Sequence, residues 1–215
     1  MLFRSEMNRF AISFMSHILF CNSVQSAENL YKMGFEFWRV HVVGSTALNG
    51  IEIDESLCPK DPYDLVLLHP DPISAEATIN DLQQTCSVIH AFSASRQTPI
   101  IWLRSNKDLH HEIIDNYLDS LNSEDKRKFK VTLYDNLPRS QYLGLLANCH
   151  RFIGNSSSGI YELPLLNPKA ERIIIGHRNK ERTPPNTQLG ASKRIAEILA
   201  TVPIDDKLRR KKLIL

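Results

Sequence analysis

The sequence predicts an α/β protein, a doubly wound parallel sheet covered by helices on both faces, and three observations carry that prediction. Short runs rich in β-branched residues recur six times from Arg39 onward. Between them lie stretches whose apolar residues keep an i, i+3, i+4 spacing, which gives a helix one buried face. Gly, Pro, Asn and Asp mark the junctions. Repeated strand–helix alternation makes successive strands parallel, because each helix carries the chain back to the same end of the sheet.

The opening "MLFRSEMNRFAISFMSHILFCNS" is apolar enough to raise a signal peptide. Glu6, Arg9 and His17 interrupt the run, and no small-residue cleavage site stands out, so a chain without a membrane span is expected. The strands are "RVHVV" from 39, "DLVLL" from 64, "PIIWL" from 99, "KVTLY" from 130, "RFI" from 151 and "RIII" from 172. Helices fall on Ile79, Leu82, Cys86 and Ile89; on Ile113, Ile114, Tyr117, Leu118 and Leu121; and on Tyr142, Leu145, Leu146 and Cys149. A final helix carries Ile195, Ile198, Leu199 and Val202, opens at Gly190-Ala191-Ser192 and is stopped by Pro203.

Composition narrows the function classes. With 26 basic against 24 acidic side chains in 215 residues the net charge is +2, too small a field to point to nucleic acid or a membrane surface. The one basic cluster, Arg209 to Lys212, reads as a solvated tail. Cys21, Cys58, Cys86 and Cys149 are scattered, without metal-ligand spacing, and suggest free thiols in a reducing cytoplasm. No metal and no cofactor are expected.

In parallel sheets of this kind ligands bind beyond the carboxyl ends of the strands. The residues there are Gly44 to Thr46, His69 to Asp71, Arg104 to Asn106, Asn136 to Pro138, Asn155 to Ser157 and His177 to Asn179. They are small, polar or cationic, with no pair of carboxylates. The richest stretch is "GNSSSGIYELP", residues 154–164. If a helix begins near Ser157 or Ser158, the loop offers N–H groups, hydroxyls and the positive end of a helix dipole at one point, which suits phosphate. Gly154 permits a sharp turn, and Gly159 clears space for close approach. Glu162, one turn on and on the face of Ser158, suits a ribose diol. An ordinary serine cap with a loose turn is the alternative. His69 reads either as a donor to a diphosphate or as a structural histidine, and Arg178 either as a phosphate fork or as a surface arginine. Asn106 and Asp108 also read as caps of a helix starting near Leu109, Asp108 above all.

"GNSSSGIYELP" followed by "IIIGHRNKER" resembles the GNSSSGIxEAP and IGxRQxGR motifs of the hydrolysing UDP-N-acetylglucosamine 2-epimerases, which have the GT-B fold of two Rossmann-like domains. "RFAISFMSHILFCNSVQSAENLYKMGFEFWRVHVVGS" is similar to that family's interdomain segment, and "LLHPDP" to its T-x-HP loop. The likeness runs over residues 8–200 or so. It implies the C-terminal, Rossmann-like half of a GT-B fold, with diphosphate on Ser156 and Ser157, ribose on Glu162, and uracil near Leu137 to Arg139. The HP histidine is His69, the asparagine of the P-N-x-D loop is Asn106, and the motif arginine is Arg178. His177 stands where the family has Asp, Ser105 where it has Pro, and "LLNPKAERIIIG" is longer than the usual turn.

The resemblance further implies an organisation. Residues 1–23 would be a remnant of the N-terminal domain or an interdomain segment, 24–203 the UDP-binding domain, and 204–215 a basic tail. It also implies conversion of UDP-GlcNAc to N-acetylmannosamine and UDP, with the proton-moving carboxylates in an N-terminal half, this chain being a fragment or partnered with a separate N-terminal half; the partners expected are that half or further copies of the chain. The rivals are a non-catalytic nucleotide-sugar module, which only an adjacent coding region would separate from the epimerase, and a GT-B glycosyltransferase, over which the RNKER segment and the HP loop favour the epimerase.

Overall fold

The six expected strands form, divided between two sheets. The structure, a computed structural model, describes residues 4–47, 49–50, 52–95, 98–179 and 190–214. Its chain separates into two units, Met1–Gly50 with Thr183–Leu215, and Ile51–Arg182.

In the first unit helix α1 (Arg4–Met15) leads into strand β1 (Leu19–Cys21), helix α2 (Val24–Lys32) and strand β2 (Val40–Val42). The first expected strand is therefore present, but it pairs parallel with β1 in a two-stranded sheet instead of joining the main one. Three residues at 19–21 are too few to announce a strand by alternation. Ser23 caps α2, its side chain accepting from the Ser26 N–H. A small core of Leu19, Cys21, Ala27, Phe35 and Val40 closes the unit.

The second unit holds strand β3 (Asp64–Leu67), helix α3 (Ala75–Ser95), strand β4 (Ile100–Leu103), helix α4 (His111–Ser120), helix α5 (Ser123–Lys128) and strand β5 (Val131–Tyr134). Helix α6 (Arg139–Asn148), strand β6 (Arg151–Gly154), single-turn helices α7 (Ser158–Tyr161) and α8 (Leu163–Leu166) and strand β7 (Glu171–Ile174) follow. All five strands are parallel, in the order β5-β4-β3-β6-β7. Every residue of β3, β4 and β6 is buried, as strands covered on both faces must be, whereas β5 and β7 are exposed edges. Val66, Trp102, Ile114, Leu118 and Ile153 sit at the centre of the core.

Chain direction reverses across the sheet between β3 and β6. The chain runs outward from β3 through β4 to β5, then returns to place β6 on the other side of β3. This is the topological switch point, where the loops after two neighbouring strands diverge and leave a crevice. At the opposite strand ends Asp64, Arg151 and Glu171 stand in register on adjacent strands. Arg151 pairs with Asp64 at 3.0 Å and with Glu171 at 2.7 Å, and lies 3.5 Å over the Phe92 ring. Burial pushes the Asp64 carboxyl up, and Arg151 opposes that shift.

Back in the first unit, helix α9 (Ala191–Thr201) and helix α10 (Asp206–Arg209) complete the chain. The basic cluster expected to be solvated is split. Arg209, Arg210 and Lys212 are exposed, but the Lys211 ammonium donates to the carbonyls of Ser13, Phe14 and Ser16 at 2.6–2.9 Å. Arg39, fully buried, pairs with Glu36 at 2.5 Å and donates to the carbonyls of His17, Lys207, Leu208 and Arg210. A planar fork of five donors can satisfy so many converging carbonyls, and no other side chain can. Charge counting sees only the number of cations, not which of them a carbonyl cluster will claim.

Candidate functional site

The crevice at the switch point opens into a cleft of about 1000 Å³. Gly154 makes it possible. Its φ is +146°, and a Cβ there would lie 2.0 Å from the Leu67 carbonyl oxygen of β3. Only glycine lets β6 leave the sheet at this point. Next, the fully buried Asn155 grips its neighbour strand. Its side-chain oxygen accepts from the His69 N–H at 2.7 Å and its nitrogen donates to the His69 carbonyl at 2.8 Å, extending the β3–β6 ladder by a side chain. The same nitrogen donates to Asp81 at 3.0 Å. Sequence reasoning saw Asn155 as one polar residue among others. Its position directly after the turn glycine was the available signal.

Of the expected site residues, His69, Asn106, Leu137, Arg139, Ser156 and Ser157 all line this cleft. Glu162 stands one contact behind it and Arg178 lies farther back. The Glu162 carboxylate lies 3.4 Å from Arg139, and Arg178 donates to the Pro70 carbonyl and lies 3.6 Å from Asp108. The arginine fork expected for phosphate is thus engaged across two loops. Lys180 to Arg182, the end of the RNKER segment, fall outside the described residues.

The serine loop differs from expectation in its helix. Glu162 lies between two four-residue turns, and Pro164, without an N–H, interrupts the hydrogen-bond ladder at α8. A single turn has little dipole, so the loop's polarity comes from its hydroxyls and N–H groups. Ser157 is the N-cap residue but makes no side-chain cap bond. Ser156 is buried, its hydroxyl within 3.4 Å of the Ser158 hydroxyl and accepting the Ser158 N–H at 3.3 Å, whereas Ser157 is half-buried. Gly159 also has a different reason. A Cβ there would meet the Phe152 ring at 2.7 Å and the Ile174 side chain at 3.0 Å, so its role is packing on the sheet.

Nor is Asp108 a helix cap. Helix α4 begins after His110, which is left-handed with φ 71° and makes no side-chain cap bond. Asp108 instead accepts from the Asn106 amide nitrogen at 2.6 Å, and the Asn106 oxygen faces His69 Nδ1 at 3.0 Å. Burial first, then the Arg178 charge, push His69 down to about 4.

The expectation of a cleft without paired carboxylates needs correction. Asp115, Asp119 and Asp135 all line it. Asp115 and Asp119, four apart on α4, lie far from any strand end in the sequence. The fold instead brings them over the end of β4, where Arg104 meets Asp115 at 3.2 Å, Asp135 at 2.8 Å and Asp119 more closely still. Burial alone would raise Asp115, but bonds from Lys107 and Arg104 outweigh it and hold the carboxyl below its usual value. A carboxylate held as Asp115 is makes a poor proton acceptor at neutral pH. Tyr142, its phenol packed toward Ser158, is a cleft group that was missed, and the Ser105 hydroxyl is buried there with no hydrogen-bond partner. Among the described residues no cluster of His, Cys, Asp or Glu is placed to hold a metal ion, and no helix is long and apolar enough to cross a membrane.

Comparison with known proteins places this geometry. A relative from Campylobacter jejuni, GDP/UDP-N,N'-diacetylbacillosamine 2-epimerase (hydrolyzing), is 31% identical over 189 residues, covering 81% of this chain and 46% of the relative. The UDP-N-acetylglucosamine 2-epimerase of Neisseria meningitidis is 28% identical over 184 residues, covering 81% and 46%. The chain spans about half the length of these relatives. Among solved structures, the Methanocaldococcus jannaschii UDP-GlcNAc 2-epimerase, determined with UDP-GlcNAc and UDP, shares the fold with a TM-score of 0.60 at 17% identity over 97% of this chain and 59% of that one. The Rickettsia bellii UDP-N-acetylglucosamine 2-epimerase gives 0.56 at 14% over 97% and 57%. The switch-point cleft thus lies in a Rossmann-like parallel sheet matching the C-terminal domain of those enzymes. With the family model for UDP-N-acetylglucosamine 2-epimerase matching residues 3–208, the chain belongs to the UDP-N-acetylglucosamine 2-epimerase family.

Proposed function

We propose that this chain is the nucleotide-binding half of a hydrolysing UDP-N-acetylglucosamine 2-epimerase and holds the UDP of a UDP-sugar in the switch-point cleft. The observation that carries the reading is the meeting of the Ser156–Ser157 loop with His69 across one crevice, with Asn155 clamping the two loops together. In this reading the diphosphate lies on Ser156, Ser157 and His69, with Arg178 behind them. Glu162, oriented by Arg139, takes the ribose diol, and Leu137 supports the uracil.

The reaction is elimination of UDP from the sugar followed by hydration of the resulting glycal to N-acetylmannosamine. Negative charge grows on the departing diphosphate, and fixed donors and cations aimed at it lower the barrier, typically by about 2–4 kcal/mol for one well-placed donor. Proton abstraction at C2 needs a base. The cleft aspartates are all paired with Arg104 and Glu162 is assigned to ribose, so the base is assigned to an N-terminal half. The same pairing favours, as a second reading, a binding module without chemistry of its own. In both readings residues 24–203 form the nucleotide-binding region.

Calorimetric titration tests the site. The chain is expected to bind UDP in preference to ADP. Replacing both Ser156 and Ser157 by Ala should weaken UDP and inorganic pyrophosphate alike, about a hundredfold or more, since hydroxyl bonds to a charged group contribute about 1.5–3 kcal/mol each. Glu162→Gln should weaken UDP and uridine while sparing pyrophosphate. Equal affinity for UDP and ADP, or loss of pyrophosphate binding in Glu162→Gln, would refute the assignment.

A further inference from the structure

The contacts around His69 form a chain that crosses three loops. Arg178, after β7, faces Asp108; Asp108, after β4, accepts from the Asn106 amide nitrogen; and the Asn106 oxygen faces His69 Nδ1. Each link constrains the next. A carboxylate only accepts, so it claims the NH₂ end of the Asn106 amide, and the amide must then present its oxygen to His69. An oxygen also only accepts, so the proton of a neutral His69 must sit on Nδ1. That leaves Nε2 as a lone pair with no protein partner among the described residues, on a side chain that lines the cleft.

Phosphate oxygens are acceptors too. A neutral His69 held in this tautomer offers lone pair against lone pair, and a favourable contact needs a proton on Nε2. We propose that Asp108 and Asn106 are positioning residues that lock His69 as its Nδ1–H tautomer, so that a nucleoside diphosphate sugar reaching Nε2 is bound together with one proton taken from solvent. The balance is simple: neutral His69, ligand and one solvent proton give imidazolium paired with diphosphate. The charged groups facing His69 are Arg178 and Asp108, of opposite sign. In the unliganded chain burial and Arg178 prevail and the ring stays neutral at pH 7, so the proton must arrive with the ligand. The diphosphate adds the negative charge that reverses this balance. The inference rests on the functional reading above, and it makes His69 an imidazolium only when there is a diphosphate to stabilise.

The test is titration of the full chain with UDP-GlcNAc at pH 7.5 in HEPES and in Tris, whose ionisation enthalpies differ. The diester diphosphate of this ligand has no proton of its own to exchange near neutral pH, so the buffer dependence of the binding enthalpy counts protons taken up by the protein. Uptake approaching one proton is expected for the wild type and uptake near zero for Asn106→Leu, which frees the ring to present Nε2–H. Long-range proton–nitrogen correlation spectra of the wild type read the tautomer directly and need no variant. Nδ1–H is expected in the free chain and a doubly protonated ring in the complex. Binding without proton uptake, or an Nε2–H tautomer in the free chain, overturns the proposal. Absence of binding in both buffers would instead count against the functional reading and the ligand step with it, while the free-chain spectrum would still decide the tautomer lock.

Discussion

His69 shows how strongly a residue's chemistry depends on what faces it. As a strand-end histidine its sequence reading left open a diphosphate donor or a structural role, and the fold gives it a structural tie through its backbone and a place on the cleft wall. Its backbone is clamped by Asn155 while its ring is turned to the cleft by Asn106. The folded chain holds the ring near pKa 4 and the unfolded chain near 6.5, so folding is fully supported above pH 6.5 and weakens as pH falls toward 4. Urea unfolding at pH 7.5 and pH 5.0 should therefore show the wild type losing about 1–2 kcal/mol more than His69→Gln, since each tenfold difference in proton affinity between the two states corresponds to about 1.4 kcal/mol. An identical loss in the two proteins would mean that the ring is not held neutral. Arg104 teaches the complementary lesson. It stands at a strand end where a cation suggests phosphate, yet three aspartates occupy it.

At the scale of elements, the serine loop is shaped by the strand before it. Gly154 lies against the Leu67 carbonyl, and the loop can diverge from β3 only because no Cβ intervenes. Gly154→Ala combines a disfavoured φ with a backbone clash that no rotamer relieves. Its expected cost is about 3 kcal/mol or more, read as a lower denaturation midpoint, with nucleotide binding weakened in whatever fraction folds. A midpoint within experimental error of the wild type would show that β6 can leave the sheet by another path. The β-branched runs made the strands readable, and the apolar spacing made α3, α4 and α6 readable. The short β1 and the break at Pro164 were not, because three or four residues carry too little periodicity to rise above their neighbours.

On the scale of the whole molecule the question is which groups complete the chemistry. General acid–base steps typically contribute about 10²–10⁴-fold each, and each aspartate lining the described cleft is paired with Arg104. The purified chain should therefore release no detectable UDP from UDP-GlcNAc. Mixed with an N-terminal half from a family member, it should gain hydrolysis that His69→Ala and Arg178→Ala each reduce. A coupled assay for UDP and a direct assay for N-acetylmannosamine decide the point. Robust product from the chain alone would overturn the division of labour and require a base elsewhere in these 215 residues.

Sequence by itself determined the class of fold, the parallel sense of its strands, the end of the sheet where the cleft opens and the family. Those follow from local pattern: β-branched runs, one-sided helices, and a motif whose residues are contiguous from Gly154 to Pro164. Tertiary structure alone decided that "RVHVV" pairs with β1 outside the main sheet, that Arg39 and Lys211 are held by backbone carbonyls, and that Arg104 meets three aspartates. It also joined Arg178, Asp108, Asn106 and His69 into one chain of contacts. The physical reason is range. Strand and helix propensities act within a few residues, whereas an ion pair or a tautomer is set by groups that only folding brings within about 4 Å, and no local pattern records which acceptor a distant donor will find.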